Sequence, residues 1–309
     1  MSKNQTTMNL IVETLKTRAD NRFTANELSR LMVENNADWA EKKRQKSKNE
    51  TIKQGGFEEL RAQVQSEIGS HREKIEKHPN LRMTEDRPRK YYYTKLSESE
   101  EVEAVEDESG SESNHLLTEH DLYPILADYL KDEFGVLAKR VDEKRSKNNK
   151  GSGGNRWLYP DLIGFEVLSL KWSQTIKELV QSRSDKSSRL WSFEVKKLVN
   201  RSNVREVFFQ ALSNSAWANY AFLVAAEISG KGTLDELRML SSQHGVGLIQ
   251  ISTTQDSESA ILIQADERAE VDWTAADRLS VENSDAENIF RQVRVYHQAG
   301  ELNIEFWKN

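Results

Sequence analysis

Between Thr7 and Arg18 the apolar residues Met8, Ile11, Val12 and Leu15 recur three and four positions apart, which predicts one face of an amphipathic helix. Thr24 stands three residues ahead of Glu27 and just before Leu28, Leu31 and Met32, a capping box opening a second helix. The stretch AEKKRQKSKNETIKQGG is polar and basic, and leads into Phe57, Leu60, Val64, Ile68 and Ile75, whose spacing predicts a third, longer helix. Two short extended runs follow in LRMTEDRPRKYYYTKL, around a turn carrying Asp86, Arg87, Pro88 and Arg89, the composition of a hairpin with a basic tip.

The pattern changes further on. Thr118 with Asp121 forms a capping box before the stripe Leu122, Ile125, Leu126, Tyr129 and Leu130, with Glu119 on the same side at the positive end of the helix dipole. VLAKRV reads as a strand and runs into the Lys/Gly/Asn-rich loop EKRSKNNKGSGGN. WLYPDLIGFEVLS and RLWSFEVKKLV are strand-like, separated by a segment whose middle is helical. A helix capped by Asn203 with Glu206, the strand YAFLVAAE, a helix ended by Gly245, and the strands GVGLIQIS and AILIQA complete the order. Helix, three strands, helix, strand, then a further helix and strand predicts an α/β sandwich with a mixed central sheet.

Length and charge divide this picture in two. A chain of 309 residues predicts about two domains. The net charge of −6 is uneven: residues 1–96 carry +6, residues 97–113 carry −8, and residues 114–309 carry −4. The string SESEEVEAVEDESGSES has little apolar surface to offset its ordering entropy, so 97–113 is expected to be a flexible acidic linker between modules that are not rigidly registered. With no Cys there is no disulfide framework, thiolate metal site or cysteine nucleophile. The histidines show no zinc spacing. No apolar run is of membrane-spanning length and the first residues lack signal-peptide character, so no membrane association and a cytoplasmic location are expected.

Two sets of residues carry candidate chemistry. Three helices and a basic hairpin over roughly the first 95 residues resemble the HARE-type winged helix-turn-helix domains. The resemblance implies an α+β winged-helix fold over 1–96 that binds double-stranded DNA. Its third helix would offer Gln63, Gln65, Ser66, His71 and Arg72 to base edges, and Arg82, Arg87, Arg89 and Lys90 would meet phosphates. Winged helices also mediate protein contacts, the alternative for this module.

In the second module, Tyr159, Pro160 and Asp161 open one strand, and Glu194, Val195 and Lys196 lie near the end of the next. Strand alternation puts Glu194 and Lys196 on one face. Acid, then Glu-x-Lys, on neighbouring strands resembles the PD-(D/E)xK nuclease superfamily, over about residues 115–252. The resemblance implies a restriction-endonuclease-like α/β fold in the domain 114–309, with Asp161, Glu194 and Lys196 catalytic and Mg2+, for which Mn2+ can substitute, held by Asp161, Glu194 and Glu119. Gln210, fourteen residues after Lys196, matches a glutamine of the Mrr-like and RecB-like branches. The RecB-like pattern continues with a Tyr where this chain has Asn214, which favours the Mrr-like restriction branch. Lys139, Arg140, Lys144 and Arg145, in the basic segment running to Lys150, would suit phosphate contact.

Together the resemblances imply a Mg2+-dependent DNA endonuclease of restriction type, with modification-dependent cleavage and phage defence within that class, acting as a homodimer for double-strand cleavage. Two other readings use the same residues. One is a non-catalytic DNA-binding regulator whose nuclease-like domain serves dimerisation or sensing; the other is a repair or recombination nuclease. The simplest structural roles would make Glu194–Lys196 a surface ion pair, Glu119 a first-turn acid and Gln210 a helix-surface residue.

Overall fold

A computed structural model describes residues 6–19, 21–85, 87–107, 118–147, 157–183, 187–253 and 258–308. The chain divides into two compact units, one of Met1–Glu101 with Ile228–Thr233 and one of Val102–Glu227 with Leu234–Asn309. No helix among the described residues is long and apolar enough to cross a membrane.

The first unit opens with α1 (Thr7–Lys16), β1 (Phe23–Thr24) and α2 (Ala25–Glu34), where Thr24 and Glu27 form the expected capping box. α3 (Ala37–Lys46) and α4 (Glu50–Lys53) occupy the polar stretch, which carries no helical stripe. α3 buries only Trp39 and Ala40, too few apolar positions to register as a period, although its last turn carries Lys43, Arg44 and Lys46, favourable at a helix C-terminus. The expected long third helix is two: α5 (Phe57–Ser70) and α6 (Arg72–Glu76). His71 divides them, its ring Nδ1 2.8 Å from the Glu67 carbonyl, a side-chain bond that competes with continuing the helix.

β2 (Leu81–Met83) and β3 (Lys90–Tyr93) form the expected hairpin, and β1 completes an antiparallel sheet in the order β1-β3-β2. Leu10, Ile11, Leu28, Met32, Leu60, Val64, Ile68, Leu81 and Tyr91 share one core. Ile228–Thr233 also joins this unit: Thr84 bridges Ser229, the Glu85 amide donates to the Ile228 carbonyl at 2.8 Å, and the Gly232 amide donates to the Glu85 carboxylate at 3.2 Å.

The acidic string is not coil throughout. α7 (Glu98–Asp107) is helical, and the remainder of the expected linker, 108–113, lies outside the described residues. The acids that argued for disorder favour the helix at its first turn, where Glu98, Glu100 and Glu101 meet the positive end of the dipole. The Ser97 amide donates to the Glu100 carboxylate at 2.7 Å, and the Glu100 amide donates back to the Ser97 hydroxyl at 3.3 Å. Glu101 is buried, with Arg82 Nε 3.6 Å from its carboxylate.

The second unit is built on one mixed six-stranded sheet. Its elements are α8 (Glu119–Phe134), β4 (Val136–Arg140), β5 (Leu162–Val167), α9 (Gln174–Ser182), β6 (Ser188–Val199), α10 (Val204–Asn214), β7 (Tyr220–Ile228), α11 (Thr233–His244), β8 (Gly247–Gln250), β9 (Ala260–Ile263), α12 (Trp273–Glu282), α13 (Ser284–Ala299) and α14 (Ile304–Trp307). The strand order is β4 to β9 in sequence, with β4-β5-β6 antiparallel, β7-β8 parallel and β8-β9 antiparallel. One face packs Leu162, Phe193, Val195, Phe222 and Ile249 against Leu122, Tyr123, Leu126 and Leu130 of α8. The other carries Ile163, Phe165 and Leu190 under Ala276, Leu279, Ala286, Ile289 and Trp307, so the last helices, beyond the reach of the sequence resemblance, close the second core.

Gly164 on β5 is closely enclosed by both neighbouring strands. A Cβ there would lie 2.9 Å from Val136 Cγ1 and 3.0 Å from both Phe193 Cε2 and Trp191 Cβ. Gly164→Ala is therefore expected to lower stability by about 1–3 kcal/mol through overpacking, read as a lower denaturation midpoint. An unchanged midpoint would mean that β4 and β6 yield freely.

Candidate functional site

The site begins with the β5–β6 register. Leu162 pairs with Phe193, and continuing the antiparallel ladder by one residue sets Asp161 across from Glu194. The Asp161 amide donates to the Phe193 carbonyl at 3.0 Å. Pro160, with no N–H to offer, precedes it where the ladder ends. The next bond comes from a side chain, with the Val195 amide donating to Asp161 Oδ2 at 2.7 Å. Local backbone economy thus pins this carboxylate to the Glu-x-Lys strand.

On β6, Lys196 Nζ lies 2.7 Å from Glu194 Oε1, and Asn214 Nδ2 on α10 donates to Glu194 Oε2 at 2.9 Å. Glu194 is 2 % exposed, so this is not a surface ion pair. Burial and then the Asp161 charge push the Glu194 carboxyl up to about 8, against the opposing pull of Lys196 and Asn214. Burial alone would lower Lys196, but Glu194, Glu119 and Asp161 more than offset it and hold the ammonium above its ordinary range.

From α8, Glu119 is half-buried, and the hydroxyl of Tyr123 one turn later lies 3.1 Å from Glu119 Oε1 and 3.3 Å from Asp161 Oδ1. Burial, Asp161 and Glu119 raise the Tyr123 phenol above its ordinary range, so it stays a donor. Arg140 lies 5.3 Å from the Tyr123 ring centroid, and its guanidinium is 3.0 Å from His120 Nε2. Burial and Arg140 lower the His120 imidazole. A cleft of about 190 Å³ opens here, lined by Glu119, His120, Lys196 and Lys197 and by Val102 and Val105 of α7.

The structure thus brings together Glu119, Asp161, Glu194 and Lys196 of the expected set, with Arg140 beside them. Gln210 is buried one turn ahead of Asn214 on α10, not on the helix surface. The other cations of the basic segment are engaged or apart: Lys139 Nζ donates to the Lys308 carbonyl, Arg145 pairs with Asp285 at 2.9 Å, and Lys144 is exposed. Residues 148–150 of that segment lie outside the described residues.

In the first unit Gln63 bonds Glu67 and Ser47, and Arg72 pairs with Glu76 at 2.8 Å. Gln65 is half-buried and Ser66 exposed on α5, while His71 ends that helix. Arg82 is spent on the carbonyls of Pro79, Leu81 and Leu96. Arg87 is exposed between β2 and β3, with Arg89 and Lys90 half-buried beside it; Asp86 lies outside the described residues.

Sequence reading missed Tyr123 and Asn214 as parts of the site. Both carried a usable signal: each lies four residues, one helical turn, after a candidate residue, Glu119 and Gln210 respectively. Compared with protein-family models, with curated proteins and with solved structures, the chain matches none.

The donor chemistry suits a hard divalent cation. Three acidic groups stand around one ammonium, and once Glu194 gives up its proton their oxygens leave surplus negative charge of the kind that holds Mg2+ or Mn2+. Among the described residues no three acidic or imidazole groups already stand as a metal-holding group. Instead both oxygens of Asp161 and of Glu194 are oriented by hydrogen bonds.

The raised Glu194 pKa has a consequence for stability without metal. An unfolded glutamate loses its proton near pH ~4.3. The folded chain holds that proton until about 8, so stability from this group is fully present at low pH and is lost as pH rises through that window. Glu194→Gln removes the loss. In EDTA, its melting temperature relative to the natural chain should climb between about pH 5 and pH 8. A difference that stays flat with pH would contradict the assigned burial.

Proposed function

We propose that the chain is a metal-dependent DNA endonuclease of restriction type, with a PD-(D/E)xK-like second unit and a winged-helix-like first unit. The observation that carries this reading is the ladder end that sets Asp161 across from Glu194 with Lys196 bonded to it. The six-stranded sheet with α8 and α10 against the site supports the nuclease-like fold, and α1, α2 and α5 sharing a core with a small antiparallel sheet support the winged-helix one.

The reaction is hydrolysis of a phosphodiester: a water oxygen bonds to phosphorus, the bond to one sugar oxygen breaks, and that oxygen leaves with a proton. Asp161, Glu194 and Glu119 would hold Mg2+, which when bound supplies Lewis acidity toward the phosphate and toward water. The chain's own residues do the rest. Lys196 brings a fixed positive charge to meet the negative charge that grows on the phosphoryl oxygens. Glu194 holds that ammonium in place, and Asn214 orients Glu194 through its second oxygen. Asp161 is locked to the strand by the Val195 amide, so docking DNA need not order it.

Asp161→Ala, Glu194→Ala and Lys196→Ala are each expected to abolish Mg2+-dependent cleavage of modified or unmodified genomic DNA while changing DNA affinity by less than about tenfold, because these groups act on the transition state. Gel assays of cleavage in Mg2+ and in EDTA, with binding measured in parallel, check this. Natural cleavage rates in any variant would refute the site. DNA binding by the natural chain without cleavage would favour the non-catalytic regulator.

For the first unit, Arg87→Ala with Arg89→Ala should weaken binding to all sequences alike and reduce the slope of log affinity against log salt by about one to two. Salt titrations of binding by the full chain measure it. An unchanged slope would remove the hairpin from the DNA-contacting surface.

A further inference from the structure

The acids of the site come from different elements of one core. Glu119 sits at the start of α8, whereas Asp161 is fixed to the end of the β5–β6 ladder. Two like charges brought into one site repel unless something holds them. The group placed between them is Tyr123, whose hydroxyl is 3.1 Å from one carboxylate and 3.3 Å from the other. The residue is 6 % exposed, packed in the core between α8 and the sheet, with the Arg140 guanidinium 5.3 Å from its ring centroid, so the hydroxyl has little freedom to move. The phenol has one proton to donate and faces two acceptors. It can therefore hold one carboxylate while releasing the other to a different partner.

Resting on the nuclease reading above, we propose that Tyr123 is a positioning residue of this site: it sets the spacing of Glu119 and Asp161 and presents them together to a divalent cation. Tyr123 touches neither substrate nor scissile bond in this role. It acts through the two acids, as hydrogen-bonding partners behind metal ligands do elsewhere. The ring keeps α8 packed, and the hydroxyl alone carries the function. Removing the oxygen should leave the fold intact and loosen the pair.

The test uses Mn2+ and the full chain without DNA, with free Mn2+ counted by electron paramagnetic resonance. Binding lost in Glu194→Ala defines the signal from this site. Tyr123→Phe is expected to raise the Mn2+ dissociation constant by about tenfold, with the cleavage midpoint in Mg2+ moving the same way and the KM for DNA unchanged. Glu119→Ala approaches the pair from the other side and should weaken binding as well. In the Glu119→Ala background the Tyr123→Phe effect should shrink to about threefold or less, because the partner it acts through is gone. A Tyr123→Phe dissociation constant equal to the natural one, or the same loss in both backgrounds, would overturn the assignment while leaving the nuclease reading standing. No saturable Mn2+ binding by the natural chain would overturn both.

Discussion

The end of the β5–β6 ladder is the constraint on which the site depends. A backbone amide at Val195 needs an acceptor, the chain opposite has just passed Pro160, and the acceptor supplied is the Asp161 carboxylate at 2.7 Å. A group required to finish a sheet is thereby fixed beside Glu194 and Lys196. The carboxylate is held by the same bond that satisfies the backbone, so little conformational entropy remains to be lost when a ligand arrives.

That arrangement concentrates charge where the sheet is driest. Glu194 and Asn214 are almost wholly enclosed, and the ion pair with Lys196 lies on a strand whose alternate residues Phe193 and Val195 are fully buried. Buried ion pairs are weak contributors to stability, because desolvation consumes much of their attraction. Their retention here is better understood as a requirement of a preorganised polar site. α8 packs on one face of the strand and α10, through Asn214, closes on Glu194 from its own side, while Lys196 lines the cleft.

Much of this was legible in the sequence, for physical reasons that differ by element. Thr24 with Glu27, and Thr118 with Asp121, announced helix starts because capping is a local bond between near neighbours. The apolar run in WSFEVKKLV announced β6 because the strand is buried on both faces from Leu190 to Val195. α3 and α7 were not legible: their polar composition says nothing of the few contacts, Trp39 in one and Glu101 in the other, that order them. Tyr123 and Asn214 were hidden for another reason. Spacing sets each one turn after a candidate residue, but which strand end lies opposite its helix is a long-range fact that spacing does not encode. Arg82 illustrates the converse, a cation whose sequence context suggested phosphate but whose three donated bonds go to carbonyls of its own unit.

The six residues Ile228–Thr233 leave the second unit's strand β7, complete the first unit, and give the chain back to the second at Leu234. The polypeptide therefore enters the first unit twice. Exchanging everything before the acidic segment for an unrelated module would remove Thr84 and Glu85 and leave Ser229, Ile228 and Gly232 without those partners. Changes in the β7–α11 connection must therefore be tolerated by both units.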